Sequence, residues 1–321
     1  EIASCLVGSE MCIRDSISVI MTFANMIDML TVNPCIKTAM KASPHTFDSL
    51  LSDKLTADML PNFIYGSYIG LAVTVFGLVP TLTAMFGKSI LPSLAESCAK
   101  NDKKAMQSGL TKMLIVTSII AIPAGMGIAV LSEPILRFLF GGRETEIQVC
   151  IMPMSILGIA VIFLAIATPC FAILQTIGKP HKAIIIILAG GIIKLFLNII
   201  LIRQPIINIS GAAISTLVSE VFICVLSVRS VCKMTELKPK VSEIFVKPTY
   251  AAIMCSVTAV LSHETLTKIA HLQINHRFVT LFSIGIGSIM YFFCLYLLCE
   301  TPKNIVNYIF SKKKSAKPLK F

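Results

Sequence analysis

The chain has 321 residues, 55% hydrophobic and 14% charged, with a formal net charge of +11. Its mean hydropathy of +0.83 exceeds what a water-soluble domain needs, and the apolar runs are continuous rather than alternating. The class is therefore an all-α polytopic membrane protein and not a β-barrel. The positive charge is read as Lys and Arg gathered in cytoplasmic loops, with no nucleic-acid partner.

Residues 1–16, EIASCLVGSEMCIRDS, do not continue the pattern that follows. They resemble translated adaptor sequence and are set aside as a non-native segment, with native protein expected upstream. The first expected span is 17–36, in which Asn25 and Asp28 share a helix face at a spacing of three. A polar segment follows, with a short amphipathic surface helix expected in SLLSDKLTADML. The second span is expected at 63–86. Its Gly66 and Gly70 suit close helix approach, and its Pro80 predicts a kink. A basic loop leads to the third span at 110–131 with Pro123, and a mixed-charge turn, FGGRETE, leads to the fourth at 149–174 with Pro153 and Pro169.

The fifth and sixth spans, 183–202 and 206–226, form a hairpin around the corner Arg203-Gln204-Pro205. Each is about 20 residues long, enough for one crossing of the hydrocarbon. They carry Lys194, Asn198 and Glu220, groups that hydrocarbon tolerates at a cost of roughly 2.5–3.5 kcal/mol per central charge. A basic linker follows, then the seventh and eighth spans at 244–261 and 278–298, and a basic tail. The domain reading is a six-helix bundle over 17–232, two further helices over 233–300 and a cytoplasmic tail over 301–321. Counting Lys and Arg by alternate loops puts 18 on the side of the C-terminus and 8 on the other. That bias predicts a cytoplasmic C-terminus in a multi-pass cell-membrane protein.

At about 1.5 Å per residue, Asp28 and Lys194 each lie about 12 Å from the outer end of their spans, and Glu220 about 18 Å. Lys194 is expected to pair with Asp28, Glu220 or both at mid-membrane, with Asn198 one turn away on the same face. Such a pair is either an ion pair that fixes packing or a component of a cargo cavity. In the second case Lys194, Asn198 and Asn25 bind substrate, while Asp28 and Glu220 couple charge.

The 11 Cys include no CxxC pair and lie mostly inside apolar runs, and the five His are scattered. Neither pattern supports a metal site or a disulfide framework. No nucleotide-binding glycine loop is present. A membrane-embedded transferase needs a convergent acid/base cluster, whereas Glu144 and Glu146 read as loop residues without partners.

Several stretches resemble the multidrug/oligosaccharidyl-lipid/polysaccharide (MOP) exporter superfamily, in its stage V sporulation protein B and MurJ-like lipid flippase branch. They are FANMIDMLTV, LVPTLTAMFGKSILPSLAES, LQTIGKPHKA, KLFLNIILI, INISGAAISTLVSE and GIGSIMYFFCLYLL. The resemblance implies the second lobe of a MATE-like two-lobe transporter plus two extra helices, about eight spans in all, with the N-terminal lobe missing. It implies no enzyme. The expected activity is flipping a lipid-linked oligosaccharide or a lipid II-like peptidoglycan precursor across the cytoplasmic membrane by alternating access. The setting would be cell-wall or polysaccharide synthesis or sporulation. Partners would be that cargo and membrane lipids, with no cofactor and with coupling left open among membrane potential, H+ and Na+. A cation-coupled multidrug antiporter of the same superfamily is the alternative.

Overall fold

A computed structural model describes residues 26–43, 56, 58–100, 102–236, 242–270 and 276–298. The adaptor-like segment, Asn25, most of the expected surface helix and the basic tail lie outside them. Among the described residues the fold is helical with no strand, and seven helices are long and apolar enough to cross a membrane. They correspond to the second through eighth expected spans. The described portion of the first is helix α1, residues 26–42.

The second span runs through α2 (Leu60–Ser67), a π-helical stretch Tyr68–Val73, α3 (Thr74–Phe76) and α4 (Leu78–Ala99). The helix is interrupted at Gly77, three residues before Pro80. Pro80 lacks the N–H that would bond to Phe76, and its ring crowds that carbonyl, so the interruption falls where the physics of Pro places it. The region read as a basic loop, 88–112, is instead the second half of α4 and the first turns of α5, which starts at Lys103. It remains helical because Leu94 packs on Leu110, Met113 and Leu114 of the next helix.

Next come α5 (Lys103–Val130), α6 (Ser132–Phe140) and α7 (Glu144–Thr176). Asp102 caps α5 by accepting the Ala105 N–H at 3.0 Å. Residues 132–140, ahead of the mixed-charge turn, form a short amphipathic helix, α6, whose Arg137 donates to Glu133 at 3.0 Å and to Glu144 at 2.6 Å. Glu144 therefore has a partner and opens α7, contrary to the loop reading. Pro123 lies inside α5, and Pro153 and Pro169 inside α7, without ending either helix.

The hairpin is α8 (Pro180–Leu201) and α9 (Ser210–Thr235), followed by a π-helical turn (Ser242–Val246), α10 (Lys247–Ala270) and α11 (His276–Leu298). The sixth span starts later than expected. Residues 202–209 form turns, and Asn208 takes a left-handed conformation (φ 45°) that Asn tolerates better than most residues.

Helix α7 is central. Its first half, with Cys150, Met154 and Leu157, packs against Val32 and Ile36 of α1, Ile64 of α2 and Tyr68 of the π-helical stretch. Its second half, with Ile166, Cys170 and Leu174, packs against α5, α8 and α9. Close approach occurs at Gly158 of α7, where an added Cβ would sit 2.5 Å from the Ala129 nitrogen of α5. A second occurs at Gly190 of α8, where it would overlap the Ile223 side chain of α9. At Gly66 and Gly70, the expected small pair, an added Cβ would meet nothing within 4 Å among the described residues. Ile185, Leu188, Ile192, Phe196 and Ile200 form an exposed stripe along α8 at helical spacing. That stripe faces away from the core, as expected for a lipid-facing surface.

Candidate functional site

One side of α8 is polar in an otherwise apolar helix. Lys194 and Asn198 lie one turn apart and project toward α1 and α9. Lys194 Nζ meets Asp28 Oδ2 of α1 at 2.7 Å, and Asn198 Nδ2 donates to Asp28 Oδ1 at 2.9 Å. Both carboxylate oxygens of Asp28 therefore have a donor, one of them charged. Asn198 Nδ2 also reaches Thr31 Oγ1 at 3.1 Å, and its Oδ1 accepts a hydrogen bond from the Ser215 hydroxyl of α9. Ionised Asp28 only accepts, so the amide must turn its NH2 to α1 and its oxygen to Ser215.

The cluster is closed to solvent, with Asp28 5%, Lys194 8% and Asn198 0% exposed. The Lys194 ammonium forms no other hydrogen bond among the described residues, which leaves donors in reserve. The equal depths expected for Asp28 and Lys194 are thus realised as an ion pair. Of the two carboxylates expected as partners, Asp28 is the one Lys194 contacts. Glu220 is close enough for Lys194 to act on it electrostatically, yet its Oε2 is buried and, among the described residues, without a hydrogen-bond partner. Asn25 falls outside the described residues.

Four residues of the network were not singled out from sequence: Thr31, Ser215, Thr216 and Tyr68. Tyr68 is buried beside Thr216, within electrostatic reach of Asp28. A signal existed for three of them. Thr31 follows Asp28 by three, and Ser215, Thr216, Ser219 and Glu220 make a polar stripe on one face of α9. Ser219 ties that stripe to α8 by donating to the Gly190 carbonyl at 2.9 Å.

A separate apolar cavity of about 590 Å3 lies between α5, α10 and α11. Ile120, Pro123 and Gly127 line one side, and Ala259, Gly287 and Tyr291 the other. Tyr291 Oη fixes α11 to α5 by donating to the Ile119 carbonyl at 2.8 Å. Among the described residues no group of three or more His, Cys, Asp or Glu is arranged to hold a metal ion.

A family model described as lipid II flippase MurJ matches residues 64–285. The lipid II flippase MurJ of Bacillus subtilis (strain 168) is 27% identical over 136 residues, 42% of this chain and 25% of the relative. Stage V sporulation protein B of the same organism is 21% identical over 182 residues, 56% of this chain and 34% of the relative. A solved structure of a lipid II flippase MurJ in an inward closed conformation superposes with a TM-score of 0.54 at 18% identity. The superposition covers 78% of this chain and 48% of that one, and at this identity the likeness concerns the fold alone. The matched regions span less than half the length of each of these three proteins.

Proposed function

This chain belongs to the lipid II flippase MurJ family, and from that premise we propose that it forms one lobe of a transporter that flips a lipid-linked, diphosphate-bearing sugar across the bacterial cell membrane. The cargo is a lipid II-like peptidoglycan precursor or a related polyprenyl-diphosphate oligosaccharide, used in wall synthesis or sporulation. The observation that carries this reading is the buried Asp28–Lys194–Asn198 cluster, a cation with reserve donors inside a layer of apolar helices.

A diphosphate is anionic and strongly hydrated. A Lys ammonium and a carboxamide replace some of its water when the lobe opens. In the closed arrangement Asp28 satisfies Lys194, so the cation is not left unpaired in hydrocarbon. Cargo entry then exchanges one anion for another on the same ammonium. The apolar cavity between α5, α10 and α11 suits a prenyl chain by its volume and lining. Alternating access requires a facing lobe, which the unmatched length of the relatives would supply, and Glu220 is the candidate for coupling to H+, Na+ or membrane potential. The family match favours the flippase over the multidrug antiporter.

The test is complementation. A bacterial strain depleted of its lipid II flippase receives the complete parent protein carrying this lobe. Growth and appearance of lipid-linked precursor in the outer leaflet support the proposal. Drug resistance driven by an ion gradient, with no precursor flipping, sinks it.

A further inference from the structure

We propose that the groove between the start of α8 and the end of α9 is a binding site for an anionic phospholipid of the surrounding bilayer, separate from the Asp28–Lys194 cluster. The groove measures about 360 Å3. Lys182 of α8 and Arg229 and Lys233 of α9 line its outer end, and Ile185 of α8 and Leu226 of α9 line it about a turn deeper.

The spacing explains the shape. On α8, Lys182 and Ile185 are three apart, and on α9, Leu226, Arg229 and Lys233 follow at intervals of three and four. Each helix thus presents one stripe to the groove, cationic at the membrane surface and apolar below it. The antiparallel hairpin brings the two stripes side by side. The result is cationic above and hydrocarbon below, which is the complement of a phosphodiester carrying an acyl chain.

The charges are uncompensated. No side-chain hydrogen bond or ion pair engages Lys182, Arg229 or Lys233 among the described residues. The acid nearest in sequence, Glu236, is taken by Lys103 of α5 at 2.9 and 3.0 Å. Gln107 reinforces that contact through the carbonyls of Thr235 and Glu236. Three cations held around one groove, with the neighbouring carboxylate directed elsewhere, suit an external anion. Ile185 is 62% exposed, so the apolar end of the site faces hydrocarbon, where an acyl chain is already present. The basic end of the hairpin is also the side that the Lys and Arg count assigns to the cytoplasm, whose leaflet is rich in anionic lipid.

The experiment is native mass spectrometry of the chain in detergent, titrated with phosphatidylglycerol or with phosphatidylcholine. The expected result is a phosphatidylglycerol adduct at about 100-fold lower lipid concentration, the preference three surface cations supply. The triple variant K182Q/R229Q/K233Q loses that preference, and an equal loss of charge elsewhere, K37Q/K41Q/K104Q, keeps it. I185Q, altering an exposed side chain, weakens the lipid adduct while leaving the cations in place. Equal binding of the two lipids, or equal loss in both triple variants, overturns the proposal. Displacement of the lipid by inorganic phosphate at equal concentration, together with an unaffected I185Q, also overturns it, because the site is then one for a bare anion.

Discussion

Replacing Lys194 by Met removes the cation and nearly preserves the volume of the side chain. Asp28 then remains 5% exposed, its carboxylate facing apolar helices with the Asn198 amide still donating to it. Breaking a buried ion pair from one side costs about 3–5 kcal/mol, most of it the uncompensated charge left behind. Asp28→Asn leaves the ammonium facing a neutral amide and belongs in the same range. Independent effects would sum to about 6–10 kcal/mol in the double variant. The structure predicts otherwise. With both charges gone, the introduced amide can still accept from Asn198, and the double variant loses only about 1–2 kcal/mol. The assay is a double-mutant cycle on denaturant unfolding of the purified chain in micelles. Single variants that each cost under about 1 kcal/mol, or a double variant equal to their sum, refute the buried pair.

Glu220→Gln contrasts with Asp28→Asn in the same assay. The Glu220 Oε2 has no hydrogen-bond partner to lose among the described residues, so a neutral side chain of the same shape is expected to leave stability unchanged or raised, and a loss above about 1 kcal/mol contradicts this. Gly158→Val drives a side chain into the α5 backbone near Ala129, and thermal unfolding should show a loss of about 1–3 kcal/mol or more. Gly66→Ala, with open space at that position, should show none. Tyr291→Phe removes the bond to Ile119 and is expected to cost about 0.5–1.5 kcal/mol and to raise hydrogen exchange in α11 before α7. Near the end of α4, the Lys100 hydrogen bond holds the Glu96 carboxyl below the usual carboxylate range. A depressed acid stabilises above its unfolded value and loses that contribution as pH falls through its folded one. Amide exchange in the last turn of α4 should therefore quicken below about pH 4, with global unfolding unchanged because the pair is exposed.

Seven of the spans were legible because length and hydropathy alone decide them. Their ends were not, because ends depend on local chemistry. Ile206, Ile207 and Ile209 are apolar enough to extend α9, yet the turn around Asn208 keeps them out of it. The second half of α4 looked like a loop from its charges, but one buried contact, Leu94 on Leu110 and Met113, keeps it helical. Helix α6 was hidden because its Arg137 serves two carboxylates, one of them across the turn at Glu144. The Asp28–Lys194 pair was legible because an expensive group in a span needs a partner at its own depth. The choice of Asp28 over Glu220 was not, since it depends on how α1 and α9 rotate against α8. Small residues misled for a similar reason. Gly66 and Gly70 match a packing motif, yet the tight crossings are at Gly158 and Gly190, where neighbouring backbone or side chains leave no room for a Cβ. Spacing identifies a face of a helix, and tertiary packing decides which face is covered.

The most direct measurement follows lipid-linked precursor into the outer leaflet in flippase-depleted cells that express the protein, with Lys194 intact or replaced by Met and with membrane levels matched. If Lys194 receives the diphosphate, the Lys194→Met protein inserts but delivers little precursor, and adding Asp28→Asn restores its stability without restoring delivery. Delivery at the level of the unaltered protein would mean that the Asp28–Lys194 pair only fixes packing, and the cargo site would have to lie elsewhere.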